Sequence, residues 1–128
     1  MKVIDLIIRI KNAAKAQRRE IVLPFSNLNK EVAKVLVKEG FLVEIKEEKK
    51  GNIKNLKIEI AYDRRISRLY DISIISKPSL KKYINSKEIA KIENRGKRTL
   101  IISTSQGVMT GKEAIKKNLG GEVLFAIW

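Results

Sequence analysis

The stretch Ile101–Trp128 constrains the fold more than any other part of this chain. It predicts a strand, a polar turn, a short helix, a glycine turn and a final strand. Thr110 and Glu113 have the spacing of a helix capping box, so we expect the helix to start at Thr110 and to end at Gly120. The segment Glu122–Trp128 is apolar enough to predict a central strand that is buried on both faces.

The polar turn of this stretch is rich in hydrogen-bonding groups. Ser103, Thr104 and Ser105 place three hydroxyls in a row where a strand should end, and Gln106-Gly107 completes the turn. Hydroxyls and exposed backbone N–H groups bind sugar 2′-OH groups, phosphates and base edges. The tripeptide alone is also typical of an ordinary solvated turn, so its interpretation depends on the rest of the chain.

The charge of the chain favours a polyanionic partner. The 128 residues contain 28 Lys and Arg against 14 Asp and Glu, which gives a formal net charge of +14. Residues 1–62 carry 14 basic and 8 acidic side chains, and residues 63–128 carry 14 and 6. Because the excess is spread over both halves, it indicates an extended basic surface rather than a basic tail. Nucleic acid is the leading candidate partner.

Composition also excludes several classes of site. With no Cys and no His, the chain has no disulfides, thiolate nucleophiles, histidine zinc ligands or imidazole acid–base catalysts. The apolar run Val3–Ile10 is interrupted by Asp5 and Arg9, and no run approaches the roughly 20 apolar residues of a membrane span. We therefore expect a soluble cytosolic protein that needs no cofactor and contacts no membrane.

The first half predicts a helix, a strand, a second helix and a hairpin. Val3–Ala16 has apolar residues at helical spacing, and its polar face includes Arg9 and Asn12. A short strand reaches Pro24, and Ser26 or Asn27 then caps a helix that Gly40 ends. Its apolar stripe is expected to include Leu28, Val32, Val35 and Leu36.

The N-terminal end of this second helix is a candidate anion-binding site. Ser26 and Lys30 lie at or near its first turn, where free N–H groups bind phosphates, although a simple cap explains Ser26 equally well. Alternating apolar residues from Phe41 to Tyr62, with a charged tip around Gly51, then predict an antiparallel hairpin. This gives a first lobe of order α-β-α-β-β over residues 1–64.

The second half, residues 65–128, predicts a mainly β lobe with one short helix. Ile66–Ser76 is strand-like, and Asn85–Ile92 indicates one helical turn or a 3₁₀ piece. Tyr83 is placed either to stack on a base or to join the core. The chain is thus expected to be an α+β protein of two small lobes.

Two segments match a known family. They are Ser103–Lys112 (STSQGVMTGK) and Gly120–Trp128 (GGEVLFAIW), with weaker matches at residues 9–13, 24–28, 39–41 and 75–78. In these residues the chain resembles the bacterial type of the universal small-subunit ribosomal protein eight family. The resemblance covers nearly the whole chain.

The resemblance implies a two-domain α+β protein that is not an enzyme. Family members bind the central domain of small-subunit ribosomal RNA early in assembly, beside neighbouring small-subunit proteins. The C-terminal domain lies against the minor groove of an irregular RNA helix, and the N-terminal domain touches a second RNA region. Carried over by position, the RNA-binding residues would be Ser103, Thr104, Ser105, Gln106, Gly107, Tyr83, Lys77, Pro78, Gly121, Glu122, Arg9, Asn12, Ser26 and Lys30.

The chain departs from the family pattern at several places. Ser79 and Gly111 stand where the family usually has Gly and Asp, and the Asp-Pro expected before the first helix is missing. Arg95–Thr99 is basic where the family is apolar, which adds positive charge and a candidate RNA backbone contact.

Three other functions remain open at this point. A metal-dependent nuclease needs paired carboxylates, but Asp5, Asp63 and Asp71 show no motif spacing. A general basic packaging protein would bind DNA and ribosomal RNA equally well. Some relatives also bind their own messenger RNA, a role on which no residue of this sequence reports.

Overall fold

The computed structural model describes residues 3–64, 66–69, 71–75, 80–93 and 98–128. The chain divides into two compact units, Met1–Tyr70 and Asp71–Trp128, which we call unit 1 and unit 2. The domain boundary suggested by the sequence, after residue 64, stays a prediction.

Unit 1 contains two helices and a three-stranded antiparallel sheet. The sheet has the order β1-β3-β2, so the predicted α-β-α-β-β lobe is confirmed. A two-stranded ribbon of β4 and β5 follows. The elements are α1 (Val3–Lys15), β1 (Glu20–Pro24), α2 (Asn27–Lys38), β2 (Leu42–Lys50), β3 (Ile53–Ile60), β4 (Tyr62–Asp63) and β5 (Ile66–Ser67).

Both helices of unit 1 start and end for local reasons. The Ser26 hydroxyl accepts the Asn29 N–H at 3.0 Å, which caps α2 as predicted. Gly40, with φ of +86°, ends α2, and the Phe41 N–H reaches back to the Leu36 carbonyl at 3.0 Å. These bonds satisfy backbone groups that a helix end leaves without intrahelical partners.

The core of unit 1 lies between the two helices and the inner face of the sheet. Leu6 and Ile10 of α1, Leu36 of α2, and Leu56 and Ile58 of β3 are all buried to 1% exposure or less. Each contributes roughly 1.5–3 kcal/mol when it leaves water.

Two predicted core positions of unit 1 are wrong. Val43 is 52% exposed because a β-bulge between Leu42 and Glu44 shifts the alternation of β2. In α2, Leu28 is 40% exposed and Asn29 is fully buried in its place, so the apolar stripe does not include the first turn.

Unit 2 is mainly β, as predicted. Its sheet has the order β6-β10-β8-β9, and β7 pairs with β10. The final strand is central, and residues 123–127 are all buried, which confirms the prediction for the end of the chain. The elements are β6 (Ile72–Ile74), β7 (Tyr83–Ile84), α3 (Ser86–Glu93), β8 (Thr99–Thr104), β9 (Gly107–Thr110), α4 (Gly111–Lys116) and β10 (Gly121–Ile127).

One hydrophobic cluster unites the elements of unit 2. It joins Ile89 of α3, Ala114 of α4, and Leu100, Ile102 and Val123 of the sheet, and the side chain of Trp128 packs against it. The cluster fixes the two helices against the sheet that carries the polar turn.

Several element predictions for residues 66–119 need correction. Ile66 pairs with Asp63 in unit 1, whereas Ile72–Ile74 pairs with β10 in unit 2, so the expected strand is two pieces. The segment after Asn85 forms an eight-residue helix, not a single turn. Residues 107–110 form the strand β9, which the sequence analysis did not predict.

The end of α4 also differs from the prediction. Thr110 does cap its start and accepts the Glu113 N–H at 3.3 Å. Its other end is closed by Asn118, whose φ is +54°, and the Leu119 N–H donates to the Ala114 carbonyl at 2.9 Å. Asn tolerates this left-handed position, so Gly120 is not the residue that ends the helix.

Candidate nucleic-acid interface

The predicted polar turn is the tip of the β8–β9 hairpin. Thr104 pairs with Gly107 across the two strands, which leaves Ser105 and Gln106 as an exposed two-residue tip. The Thr104 hydroxyl donates to the Gly107 carbonyl at 2.8 Å and accepts the Gln106 N–H at 3.1 Å. Gly107 has φ of +109°, a conformation that glycine adopts without steric cost. The turn is therefore held from within, and its outer hydroxyl and amide face solvent.

Three of the predicted site residues lie in one row across the sheet of unit 2. Glu122 of β10 is directly opposite Ser103 of β8 on one side and Tyr83 of β7 on the other. Directly opposed residues of antiparallel strands project to the same face. Tyr83 is 66% exposed, so it is not the core residue that was the alternative interpretation.

Gly121 allows the strands beside this row to come close together. A Cβ on Gly121 would lie 2.1 Å from the Ser103 carbonyl oxygen, a separation that real Cβ atoms do not show. Any larger residue would push β10 away from β8. The row of Tyr83, Glu122 and Ser103 thus depends on a glycine at this position.

The chemistry of this surface suits sugars and bases better than phosphates. Ser105 and Ser103 offer hydroxyls, Gln106 offers an amide, and the Tyr83 ring offers a stacking face. The carboxylate of Glu122 repels phosphate but accepts hydrogen bonds from amino groups on base edges. We call these residues with Thr104 and Gly107 the turn surface.

Two predicted contacts cannot be placed beside the turn surface. Lys77 and Pro78 lie outside the described residues, as do Ser79 and residues 95–97 of the basic segment. Arg98, the next residue of that segment, is exposed, and its guanidinium carbon lies 4.2 Å from the centre of the Trp128 ring.

In unit 1, Arg9 and Asn12 are exposed on α1 and line a groove between that helix and β1. The groove has a volume of about 470 Å³. Val22 of β1 and Arg18, which lies in the link between α1 and β1, also line it. The structure therefore brings these two predicted residues together, at a site that also contains residues not predicted.

Tyr62 holds one wall of this groove in place. Its hydroxyl donates to the Arg18 carbonyl at 2.5 Å and lies 3.5 Å from the Ala13 carbonyl. Burial of the phenol raises the pKa of Tyr62 above its usual value of 10.0. The hydroxyl donates to the chain just after the end of α1.

Ser26 and Lys30 are already engaged within unit 1. The Ser26 hydroxyl is the α2 cap, and the Lys30 ammonium lies 2.5 Å from one carboxylate oxygen of Glu47. Lys54 lies 3.1 Å from the other oxygen. The hydrogen bond from Lys30, followed by that from Lys54, holds the pKa of Glu47 below its usual 4.5. Glu44, Glu47 and Glu48 each lie within 4 Å of a lysine ammonium of the same unit.

The outer face of the unit 1 sheet carries a row of like charges. Glu59 of β3 is directly opposite Glu20 of β1 and Glu44 of β2. Like charges in directly opposed positions repel one another. Lys46 beside the row has its pKa raised, first by its hydrogen bond with Glu44 and further by the charges of the glutamates. We call Glu20, Glu59 and Glu44 the glutamate row.

Some of these features escaped the sequence analysis. Arg18 and Val22 look like parts of a link and a strand, and only the packing of β1 beside α1 makes them a groove wall. The Arg18-Arg19 pair was the one available signal. Over the described ranges, no group of three or more acidic side chains is placed to hold a metal ion.

A family model described as ribosomal protein S8 matches residues 2–128 of the chain. The chain belongs to this family. It is 38% identical over 124 residues to small ribosomal subunit protein uS8 of Mycoplasmopsis agalactiae, with 97% of this chain and 94% of that protein covered. It is 40% identical over 126 residues to the uS8 protein of Flavobacterium psychrophilum, with 97% and 95% covered.

A third relative is small ribosomal subunit protein uS8c of Bigelowiella natans, at 40% identity over 94% of this chain and 92% of that protein. Membership of the S8 family makes this chain a structural, non-enzymatic component of the small ribosomal subunit, as the sequence resemblance predicted. The predicted ribosomal location in the cytoplasm agrees with this family. In the part of the chain that the structure describes, no helix is long and apolar enough to cross a membrane.

Proposed function

We propose that this S8-family protein binds small-subunit ribosomal RNA directly, in its central domain, and helps that domain to assemble. The observation that carries the proposal is the row of Tyr83, Glu122 and Ser103, beside the exposed tip of Ser105 and Gln106. It joins a ring, a carboxylate and hydroxyls on one face of a rigid sheet. The contacts of Lys77, Pro78, Arg9, Asn12, Ser26 and Lys30 with RNA belong to the same proposal.

Binding has an electrostatic part that does not depend on sequence. The net charge of +14 draws the protein to RNA, and each cation that reaches a phosphate releases a counterion. This part gives affinity that falls steeply as salt rises. It does not by itself separate ribosomal RNA from any other polyanion.

Recognition comes from the turn surface, which carries no cation. RNA presents 2′-OH groups and base edges in a wide, shallow minor groove, where a narrow hairpin tip can lie flat. Hydroxyls at Ser103 and Ser105 match the 2′-OH groups, which DNA lacks. The ring of Tyr83 offers a stacking face to an unpaired base.

A competition titration tests this proposal. Labelled central-domain RNA is bound to the full chain at moderate salt and then competed with an unrelated RNA duplex and a DNA duplex of equal length. We expect the ribosomal fragment to compete at least about a thousandfold better than either duplex. Equal competition by all three would overturn the proposal in favour of a general basic nucleic-acid-binding protein.

Contacts with neighbouring small-subunit proteins accompany this role. Binding to the chain's own messenger RNA stays a prediction from the family resemblance. The same titration with that messenger as a fourth competitor measures it.

A further inference from the structure

We infer that the groove between α1 and β1 of unit 1 holds one unstacked nucleotide of the bound RNA. Its phosphate would lie at Arg9 and Arg18, and its base would lie against Ala16 and Val22. The inference rests on the proposed function, because the nucleotide belongs to the RNA that the turn surface recognises. It adds a second site of readout, in unit 1.

The charges that line the groove favour an anion. Arg9 of α1 and Arg18 of the link between α1 and β1 both line it, and both are exposed. Glu20 also lines the groove, but its carboxylate lies 3.4 Å from the Lys57 ammonium on the outer face of the sheet. The negative charge of Glu20 is thus compensated outside the groove. The two guanidinium groups, which bind phosphate through paired donors, make the electrostatic potential of the groove positive.

The size and the apolar surface of the groove suit a nucleobase. Its volume of about 470 Å³ lies within the range of roughly 300–1,000 Å³ that is typical of small-ligand sites. Val22 is 48% exposed, and Ala16, an exposed residue just after α1, adds further apolar surface to the lining of the groove. A base packed there would cover this apolar surface.

Backbone groups of β1 can read the edge of that base. Between β1 and β3 the Arg19 carbonyl accepts the Ile60 N–H, and the Phe25 N–H donates to the Lys54 carbonyl. The odd-numbered residues of β1 therefore direct their backbone N–H and carbonyl groups toward β3. Antiparallel pairing alternates, so Val22 turns its N–H and carbonyl toward the groove. The Asn12 amide on the opposite wall adds one donor and one acceptor group.

The same edge is too short to pair with a peptide strand. Three residues of β1 direct their backbone groups away from β3, namely Glu20, Val22 and Pro24. Pro24 has no N–H to donate. Two outward N–H groups bind a nucleotide well but extend a sheet poorly. The positive charge of the groove also disfavours the basic segments that are common in proteins bound to RNA.

A site-directed crosslink tests the inference. The chain contains no cysteine, so Ala16→Cys gives a single attachment point for an aryl azide at the groove wall. In the complex with central-domain RNA we expect crosslinking to one or two nucleotides. These should differ from the nucleotides that the turn surface protects. The matched control is Lys34→Cys, an exposed position on α2 that does not line the groove, which should not crosslink to those nucleotides.

Charge variants provide the second measurement. Arg9→Ala and Arg18→Ala are exposed substitutions, and circular dichroism checks that each variant folds. Each should weaken binding of the RNA fragment about tenfold. Combined with Ala16→Cys in one chain, each should abolish the crosslink. Ser105→Ala should weaken binding but leave the crosslinked nucleotide unchanged.

The outcomes separate this inference from the proposed function. If the wild-type chain prefers ribosomal RNA but the arginine variants bind normally and no discrete crosslink forms, the groove holds no nucleotide and the proposed function stands. If the wild-type chain shows no preference for ribosomal RNA, the proposed function itself fails. If the same probe, placed in an assembled small subunit, crosslinks to a protein instead of RNA, the occupant is a peptide and the inference is overturned.

Discussion

The hairpin tip of unit 2 and the start of α2 in unit 1 hold similar polar side chains in different ways. At the tip, the Thr104 hydroxyl closes the turn from within, so Ser105 remains exposed for a partner. At the helix start, the Ser26 hydroxyl already accepts the Asn29 N–H, and Lys30 already pairs with Glu47. Both regions were expected to face RNA.

This difference indicates that the two regions have different roles, one in RNA recognition and the other in the stability of the fold. An exposed group only exchanges a hydrogen bond with water for one with RNA, whereas an engaged group must first give up a bond within the protein. We therefore expect the turn surface to carry specificity, and the helix start to contribute mainly stability. Four experiments, in decreasing order of expected effect, test this division and the stability of the two units.

The largest effect is expected from Gly121→Ala in unit 2. The new methyl group would lie 2.1 Å from the Ser103 carbonyl, so β10 must move away from β8. We expect a loss of more than about 3 kcal/mol in the free energy of unfolding of unit 2, and loss of specific RNA binding. The fluorescence of Trp128, the only tryptophan and a residue of unit 2, measures this in urea.

The control for this substitution is Gly51→Ala, which meets no atom within 4 Å but has φ of +60°. It should cost only about 1 kcal/mol, from the left-handed backbone, and should leave RNA binding intact. Wild-type stability of unit 2 in Gly121→Ala would show that the two strands are less constrained than described here.

The next effect compares two serines. Ser105→Ala should weaken RNA binding by about 1–3 kcal/mol with an unchanged dependence on salt, because it removes a hydroxyl and no charge. Ser26→Ala should lower the stability of unit 1 by about 1 kcal/mol, through loss of the cap, and change RNA binding little. Titrations at several salt concentrations and urea unfolding measure the two effects.

The opposite result for these serines would exchange the roles of the two regions. Normal binding by Ser105→Ala would remove the main argument for the turn surface. Strongly weakened binding by a folded Ser26→Ala would show that the helix start contacts RNA.

A smaller effect is expected from Asn29→Leu. Within the described residues, neither the oxygen nor the nitrogen of this fully buried amide has a hydrogen-bond partner. A leucine has the same branched shape without polar atoms but is larger, so the gain is partly offset by tighter packing and we expect unit 1 to be stabilised by less than about 1 kcal/mol. Thermal unfolding measures it, and destabilisation by the leucine would mean that the amide makes bonds in solution.

The smallest expected effect is the change in stability caused by Glu47→Gln, and it depends on pH. The lysines lower the pKa of Glu47 in the folded state, so its contribution to stability is present above its ordinary value of 4.5 and is lost as pH falls below it. Glu47→Gln should therefore be less stable than wild type at about pH 6, and the difference should shrink as pH falls from the ordinary value through the lowered pKa of the folded state. A difference that stays constant across this range would show that the loss is not electrostatic.

Local signals predicted much of the fold. Ser26, Thr110 and Gly40 mark helix ends through their own side chains or backbone freedom, and the structure confirms all three. The apolar run at residues 123–127 predicted a central strand, and β10 is that strand. These features depend on neighbours within a few residues, which a sequence displays directly.

Features that depend on distant partners were missed. The bulge that exposes Val43 arises from pairing with β3, and β9 exists because β8 offers it an edge. The sequence predicts a helix end at Gly120 because glycine is the most common residue there, whereas Asn118 has the positive φ that ends the helix. Likewise the groove needs β1 to lie beside α1, which no local pattern encodes.

The glutamate row has a consequence for how unit 1 meets a polyanion. Its three carboxylates share the outer face with Lys46 and Lys57, which pair with Glu44 and Glu20, while Arg9 and Arg18 line the groove at the β1 edge. The outer face is therefore close to electrically neutral, and the field that draws a strand of phosphates toward unit 1 is stronger at the groove. The pairing of acidic and basic groups on one face thus leaves the other face to orient the protein during its approach to RNA.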